Sequence, residues 1–122
     1  MALFIDSEFT GHAGSKLKFK IECDALTDED IETLASIIAR SHIFSKIHGV
    51  PRGGLRLAQA LEKHISPDGL TLIVDDVLTS GMSMEEARKN CEDETLGIVL
   101  FARGPCPGWI KPVFQLSEWA GP

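Results

Sequence analysis

Two carboxylates and a group of small polar residues follow one another in the stretch Leu72–Arg88, which reads LIVDDVLTSGMSMEEAR. An apolar run precedes Asp75 and Asp76, and the loop Thr79–Ser83 precedes a pattern typical of a helix. Backbone N–H groups in such a loop, together with the N-terminus of the helix, can cradle a phosphate dianion. The order of residue types therefore indicates an anion site with acidic residues beside it.

Each residue of this loop has a predicted part in phosphate binding. Thr79, Ser80 and Ser83 carry hydroxyl groups that can donate to phosphate oxygens. Gly81 allows a sharp turn and a close approach of the backbone to the ligand. Met82 contributes its backbone, and we expect its side chain to point away from the phosphate. Each charge-assisted hydrogen bond would contribute roughly 1.5–3 kcal/mol.

The two aspartates need a different ligand group, because a carboxylate repels a phosphate. Asp75 and Asp76 suit sugar hydroxyls one group away from the phosphate, for which they would act as acceptors. The alternative is a solvated strand end followed by an ordinary turn, since Asp, Thr, Ser and Gly are common at such ends. Residue spacing alone leaves both interpretations open.

Strand and helix patterns alternate along the chain. Thr27 with Asp30 resembles a capping box, and the apolar spacing after it predicts a helix to about Arg40. A further capping box is predicted from Ser83 to Glu86. The predicted strands are Lys16–Cys23, Lys46–Val50, Leu70–Val74 and Leu96–Ala102.

This alternation predicts an α/β fold with a parallel sheet flanked by helices. Ligands in such sheets bind at the carboxyl ends of the strands. Two unusual loops, Val50–Gly54 and Asp75–Ser83, follow predicted strands directly. We therefore expect both loops at one end of the sheet.

Composition limits the classes of function. The chain has 122 residues and a net charge of −6, which predicts a single domain over residues 1–122 and argues against nucleic-acid binding. The three cysteines lack zinc spacing, so we expect free thiols and a cytoplasmic location. No apolar run approaches the ~20 residues of a membrane span, and the N-terminus does not resemble a signal peptide.

The segment VDDVLTSGMS strongly resembles the phosphoribosyl diphosphate signature of the type I phosphoribosyltransferases. Residues Ile47–Ala58 (IHGVPRGGLRLA) resemble the pyrophosphate loop of the same family, with Arg52, Gly53 and Gly54 as its Arg-Gly-Gly. The region Phe9–Leu26 is more loosely similar to orotate phosphoribosyltransferases, with Gly11 and Ser15 among the matching residues.

The resemblance implies a phosphoribosyltransferase-like sheet, with a small hood formed by the N-terminal and C-terminal segments. It implies that the chain binds phosphoribosyl diphosphate and transfers phosphoribose to or from an orotate-like pyrimidine or a purine. Asp75 and Asp76 would be catalytic and could also contact Mg²⁺, which bridges the pyrophosphate and the ribose. Family members are commonly dimers, so a homodimer is a further expectation.

Arg103 and Trp109 could contact the base, and Arg103 alternatively the pyrophosphate. For Arg103, pairing with a surface carboxylate is an equally open interpretation, and for Trp109 so is packing within the hood. Phe114 and Trp119 are expected to be packing anchors.

One departure from the family pattern indicates an alternative function. The family carries a long mobile catalytic loop before the signature strand, but only Lys63–Gly69 occupies that place here. The alternative is a regulatory module that binds a phosphoribosyl group or a nucleotide without turnover. A dinucleotide-binding GxGxxG motif and a Walker GxxxxGK[ST] motif are both absent from the sequence.

Overall fold

Four parallel strands form the main sheet, in the order β3-β4-β5-β6. The computed structural model describes residues 1–10 and 16–116, so Gly11, Ser15 and Trp119 lie outside the described residues. The elements are β1 Phe4–Thr10, β2 Lys16–Ile21, α1 Asp28–Ser41, β3 Phe44–Gly49, α2 Leu55–Leu61, β4 Leu70–Leu78, α3 Met82–Lys89, β5 Thr95–Ala102 and β6 Ile110–Gln115. Short 3-10 turns occupy Cys23–Ala25 and Glu62–His64.

The predicted α/β architecture is confirmed, and its centre is strand β4. Leu72, Ile73 and Val74 have no exposed side-chain surface, as expected for a parallel strand covered on both faces. Strand β4 is longer than predicted and includes Asp75 and Asp76. It continues because β5 pairs with it as far as Leu78 and Ala102.

The two faces of the sheet have separate cores, because successive strand residues point to opposite sides. Leu72 and Val74 pack with α1 and α2, whereas Ile73 packs with Met84 of α3. In β5 the same alternation directs Ile98 and Leu100 toward α1 and α2 and Val99 toward α3. The helices therefore cover both faces of the sheet and fix the carboxyl ends of β3, β4 and β5.

Helix α1 begins as the sequence predicted. The Asp30 amide donates to Thr27 Oγ1 at 3.0 Å, and the Thr27 amide donates to Asp30 Oδ2 at 2.9 Å. Both bonds of the capping box are thus present. Helix α1 buries Ile31, Leu34, Ala35 and Ile38.

Helix α3 begins differently from the prediction, and the capping box from Ser83 to Glu86 is wrong. The residue before the helix is Gly81, with a left-handed φ of 79°, and no side chain caps the helix. Ser83 lies inside the first turn. The left-handed glycine turns the chain directly from β4 into α3. Gly81 therefore occupies the N-cap position where a capping serine would otherwise stand.

The N-terminal hairpin of β1 and β2 was only partly predicted, since β1 was not expected. Its Phe4 ring contacts Phe101 edge-on at 5.8 Å between centroids, so the hairpin packs on the carboxyl end of β5.

Strand β6 was also not predicted. Its residues were expected in the hood, but they form the fourth strand of the main sheet. Within the described residues, no helix is long and apolar enough to cross a membrane.

Candidate functional site

The two loops singled out in the sequence meet at the carboxyl end of the sheet. The Val50 amide donates to the Val74 carbonyl at 2.9 Å, which joins the end of β3 to β4. A Cβ atom added to Gly53 would overlap the carboxylate of Asp76, and one added to Gly54 would overlap the Val74 carbonyl. The absence of side chains at these glycines therefore allows the first loop to pack directly against the end of β4.

The first loop forms a tight turn that leads into α2. The Gly54 amide donates to the Val50 carbonyl at 2.8 Å, and the Leu55 amide donates to the Arg52 carbonyl at 3.1 Å. The Pro51–Arg52 peptide bond is cis. Arg52 is exposed, and it forms no ion pair with any residue of the described ranges. Its guanidinium is therefore available to an anionic ligand.

Backbone hydrogen bonds orient the two carboxylates of β4. The Asp76 amide donates to Asp75 Oδ1 at 2.8 Å, and the Val77 amide donates to Asp76 Oδ1 at 2.7 Å. Both side chains are partly buried. Each carboxylate thus has one oxygen engaged by the backbone and a second oxygen that can accept from a ligand.

Burial, together with a smaller effect of the side-chain hydrogen bond and charge of Asp76, raises the pKa of Asp75 to about 7. The Asp76 amide opposes this shift by donating to the Asp75 carboxylate. Asp75 is therefore close to half ionised at neutral pH, which is unusual for an aspartate and typical of functional sites.

This shift predicts a pH-dependent stability cost. The pKa of a fully solvated aspartate is 3.8 and that of Asp75 in the folded chain is about 7, so the folded chain retains a proton that the unfolded chain has lost. The free energy of unfolding should therefore fall as the pH rises between about 4 and about 7. We expect Asp75→Asn to stabilise the chain at pH ~8 by roughly 1–2 kcal/mol, after allowance for solvent screening.

Urea unfolding of parent and variant at about pH 4 and pH 8 measures this difference. The difference should be much smaller at the lower pH, where the Asp75 carboxyl is protonated in the folded chain and only about half ionised in the unfolded chain. The exposed Asp68→Asn is the matched control and should show no such pH-dependent gain. Equal effects of Asp75→Asn at both pH values would contradict the assignment.

The second loop connects β4 to α3. Thr79 and Ser80 are exposed, and the Met82 amide donates to Ser80 Oγ at 3.3 Å. The Met82 side chain is 75% exposed. The first N–H groups of α3, including that of Ser83, have no partner within the helix. The loop thus presents hydroxyls and helix N–H groups together, which is the donor set expected for a phosphate.

The structure places Arg103 at this end of the sheet but not Trp109. Arg103 follows β5 directly, its guanidinium lies 4.1 Å from the ring centroid of Phe19, and its Nε is buried without a partner among the described residues. Trp109 lies at the amino end of β6 and donates from Nε1 to Glu85 Oε1 at 2.6 Å. It therefore packs on α3, away from the two loops.

Solved structures of known proteins resemble this chain in fold. UMP synthase of Leishmania donovani aligns with 93% of this chain and 34% of its own, with 16% identity and a TM-score of 0.69. Orotate phosphoribosyltransferase of Aeropyrum pernix aligns over 84% of this chain and 76% of its own, with 21% identity and a TM-score of 0.64. The chain has a type I phosphoribosyltransferase-like fold.

A third structure has the same fold. Orotate phosphoribosyltransferase of Mycobacterium tuberculosis aligns over 96% of this chain and 91% of its own, with 13% identity and a TM-score of 0.64. The present chain thus spans about a third of the UMP synthase chain and most of the two orotate phosphoribosyltransferases. No family model and no curated protein sequence matches it.

In this chain with a phosphoribosyltransferase-like fold, the connection before β4 is as short as the sequence predicted. After α2 there is one 3-10 turn, Glu62–His64, and β4 begins at Leu70. Two cavities of about 540 and 500 Å³ are lined by residues outside the two loops. Arg52, Thr79 and Ser80 are exposed, so the two loops form an open edge.

One neighbour of the acidic pair was missed in the sequence. Burial, together with the smaller effects of the charges of Asp76, Asp24 and Asp75, raises the pKa of the Cys23 thiol to about 12. The turn after β2 therefore lies close to the two carboxylates. At this pKa the thiol is protonated at neutral pH and is not a nucleophile. Nothing in the sequence spacing links Cys23 to residues some fifty positions later.

Proposed function

We propose that this chain binds phosphoribosyl diphosphate, or a nucleoside monophosphate in the reverse direction, and transfers phosphoribose to or from a nitrogenous base. The observation that carries the proposal is the contact between the two motifs. Gly53 of the first loop lies directly against the Asp76 carboxylate, and the phosphate loop follows the same strand as Asp76. A pyrophosphate group and a sugar phosphate would then meet at one acidic pair.

Each group of the ligand has a chemically matched partner. The 5′-phosphate fits the loop Thr79–Ser83, where the dipole of α3 favours negative charge. The ribose hydroxyls would donate to Asp75 and Asp76. Arg52 and the amides of Gly53 and Gly54 would bind the pyrophosphate. Arg103 would contact the base or the pyrophosphate.

The reaction would break the bond between the anomeric carbon and a pyrophosphate oxygen, and form a bond from that carbon to a nitrogen of the base, which gives up its proton to solvent. Pyrophosphate leaves with the bonding electron pair, so positive charge develops on the ribose ring. The carboxylates of Asp75 and Asp76 would stabilise this charge electrostatically. The protein otherwise contributes positioning of the two reactants, and it forms no covalent bond.

We include Mg²⁺ in the proposal because the donor set suits an ion bound mainly by its substrate. No group of three or more His, Cys, Asp or Glu side chains that could hold a metal occurs in the described ranges. Mg²⁺ is commonly held by one or two carboxylates together with substrate phosphates. Asp75 and Asp76 could supply the carboxylates. The ion would neutralise charge on the pyrophosphate.

A second candidate function follows from the short connection before β4. A chain with this open edge could bind a phosphoribosyl ligand without turnover, because water is not excluded from the reacting carbon. It would then act as a regulatory module that responds to the ligand. Both functions use the same binding residues, and they differ in pyrophosphate release.

One experiment separates these functions. The chain is incubated with phosphoribosyl diphosphate, Mg²⁺ and a panel of pyrimidine and purine bases, and pyrophosphate release is followed. Release with one base supports transfer. Thermal stabilisation by phosphoribosyl diphosphate without release supports the binding module. The absence of both pyrophosphate release and thermal stabilisation would reject both functions.

Asp76→Asn is the matched variant for this experiment. It keeps the shape of the side chain and removes a charged acceptor for the sugar hydroxyls. We expect about a tenfold or greater loss of affinity, which corresponds to one hydrogen bond to a charged group. Unchanged affinity for ribose 5-phosphate would contradict the assignment of the acidic pair.

A further inference from the structure

An apolar groove lies away from the candidate site, on the face of the sheet that carries α1. Its volume is about 540 Å³, and its wall includes Phe4, Leu34, Ile37, Phe101, Phe114 and Leu116. Phe4, Ile37 and Phe114 remain 48%, 42% and 45% exposed. The groove therefore presents apolar surface between α1 and the strands β5 and β6.

The chain leaves the described part of the fold at the wall of this groove. The Leu116 amide donates to the Ala102 carbonyl at 2.8 Å. The Gln115 side chain donates from Nε2 to the Gly104 carbonyl at 3.0 Å. These bonds fix the direction of the chain up to Leu116, which itself lines the groove.

The next six residues read Ser-Glu-Trp-Ala-Gly-Pro and lie outside the described residues. Their one large apolar side chain is Trp119, three residues beyond Leu116. Three extended residues span at most about 10 Å, so Trp119 is within reach of the groove. An indole ring offers a large apolar surface with one polar atom. Asp30 and Thr33 are the polar residues among the groove lining.

We propose that the groove is the docking site of the chain's own segment 117–122, with the Trp119 ring as its anchor. Because this segment is tethered to the wall of the groove, its effective concentration there is in the millimolar range. A second copy of the chain would have to bind from a far lower concentration. The proposal is independent of the proposed function.

Fluorine NMR of the chain labelled with fluorotryptophan tests the proposal. The sequence has two tryptophans, so two resonances are expected, and Trp119→Phe assigns them. In the parent, the Trp119 resonance should lie away from its position in the urea-unfolded chain, and acrylamide should quench Trp119 fluorescence weakly in a Trp109→Phe variant. If the Trp119 resonance of the parent chain has the same chemical shift as in the urea-unfolded chain, the proposal is overturned.

A pair of matched variants locates the docking site. Ile37→Glu places a charge in the groove, whereas Ile43→Glu makes the same change at a residue that is 68% exposed and outside it. The Trp119 resonance should move to its unfolded position in the first variant and stay in place in the second. Equal shifts in both variants, or a shift that depends on protein concentration and so indicates a second copy, would overturn the proposal.

Discussion

Gly81→Val is expected to lower the affinity for ribose 5-phosphate by about a hundredfold or more, while the chain stays folded. Gly81 has a φ of +79°, a conformation that a β-branched residue adopts only under strain. That strain amounts to about 1–2 kcal/mol, which rearrangement of the loop would relieve. The rearranged loop would lose one or two charge-assisted bonds to the phosphate, at roughly 1.5–3 kcal/mol each.

The space around Gly81 separates binding from folding. A Cβ atom at this position would meet Leu78 Cδ1 at 3.6 Å, which is an ordinary contact, so the variant requires no change in the core. Gly108→Val is the matched control, because a Cβ atom there has no neighbour within 4 Å. Calorimetric titration with ribose 5-phosphate measures affinity, and urea unfolding measures stability. Parent-like affinity in Gly81→Val would show that the phosphate binds elsewhere.

The parts of the fold that the sequence predicted are those with a strong local pattern. Leu72–Val74 forms a continuous apolar run, and a parallel strand buried on both faces requires one. The start of α1 was predictable because Thr27 and Asp30 cap each other within four residues. The order of these elements then sufficed for a parallel sheet.

The parts that the sequence did not predict depend on residues far apart in the chain. Strand β6 has a proline at position 112 and a weak alternation, which are tolerated because it lies at the edge of the sheet. Its partner is β5, with Ile98 opposite Lys111 and Phe101 opposite Phe114. The local strand propensity of residues 110–115 does not indicate which strand they pair with.

In the candidate site, too, the features with a local sequence pattern were predicted and those that depend on distant residues were not. The two loops and the acidic pair were evident from residue types, and their common position followed from the rule for parallel sheets. Trp109 was grouped with them because aromatic rings suit bases, but its position depends on Glu85 of α3. The raised pKa of Asp75 and the approach of Cys23 both arise from burial that only the folded chain creates.

The contact between Gly53 and Asp76 gives the second large prediction. A Cβ atom on Gly53 would overlap both carboxylate oxygens of Asp76, so Gly53→Ala must displace that side chain. The displacement would break the bond from the Val77 amide to Asp76 Oδ1. We expect a stability loss of about 1 kcal/mol, as for one hydrogen bond, and a loss of at least about tenfold in affinity for phosphoribosyl diphosphate.

A double-mutant cycle identifies the cause. In an Asp76→Ala background the obstructing carboxylate is gone, so Gly53→Ala should cost little further stability. The two substitutions should therefore be non-additive by about 1 kcal/mol. Gly53 does not have a positive φ, so alanine introduces no backbone strain, and Gly108→Ala is again the control. Strict additivity, with parent-like affinity in Gly53→Ala, would mean that the first loop and the acidic pair act separately, and the shared site for pyrophosphate and ribose would then have to be abandoned.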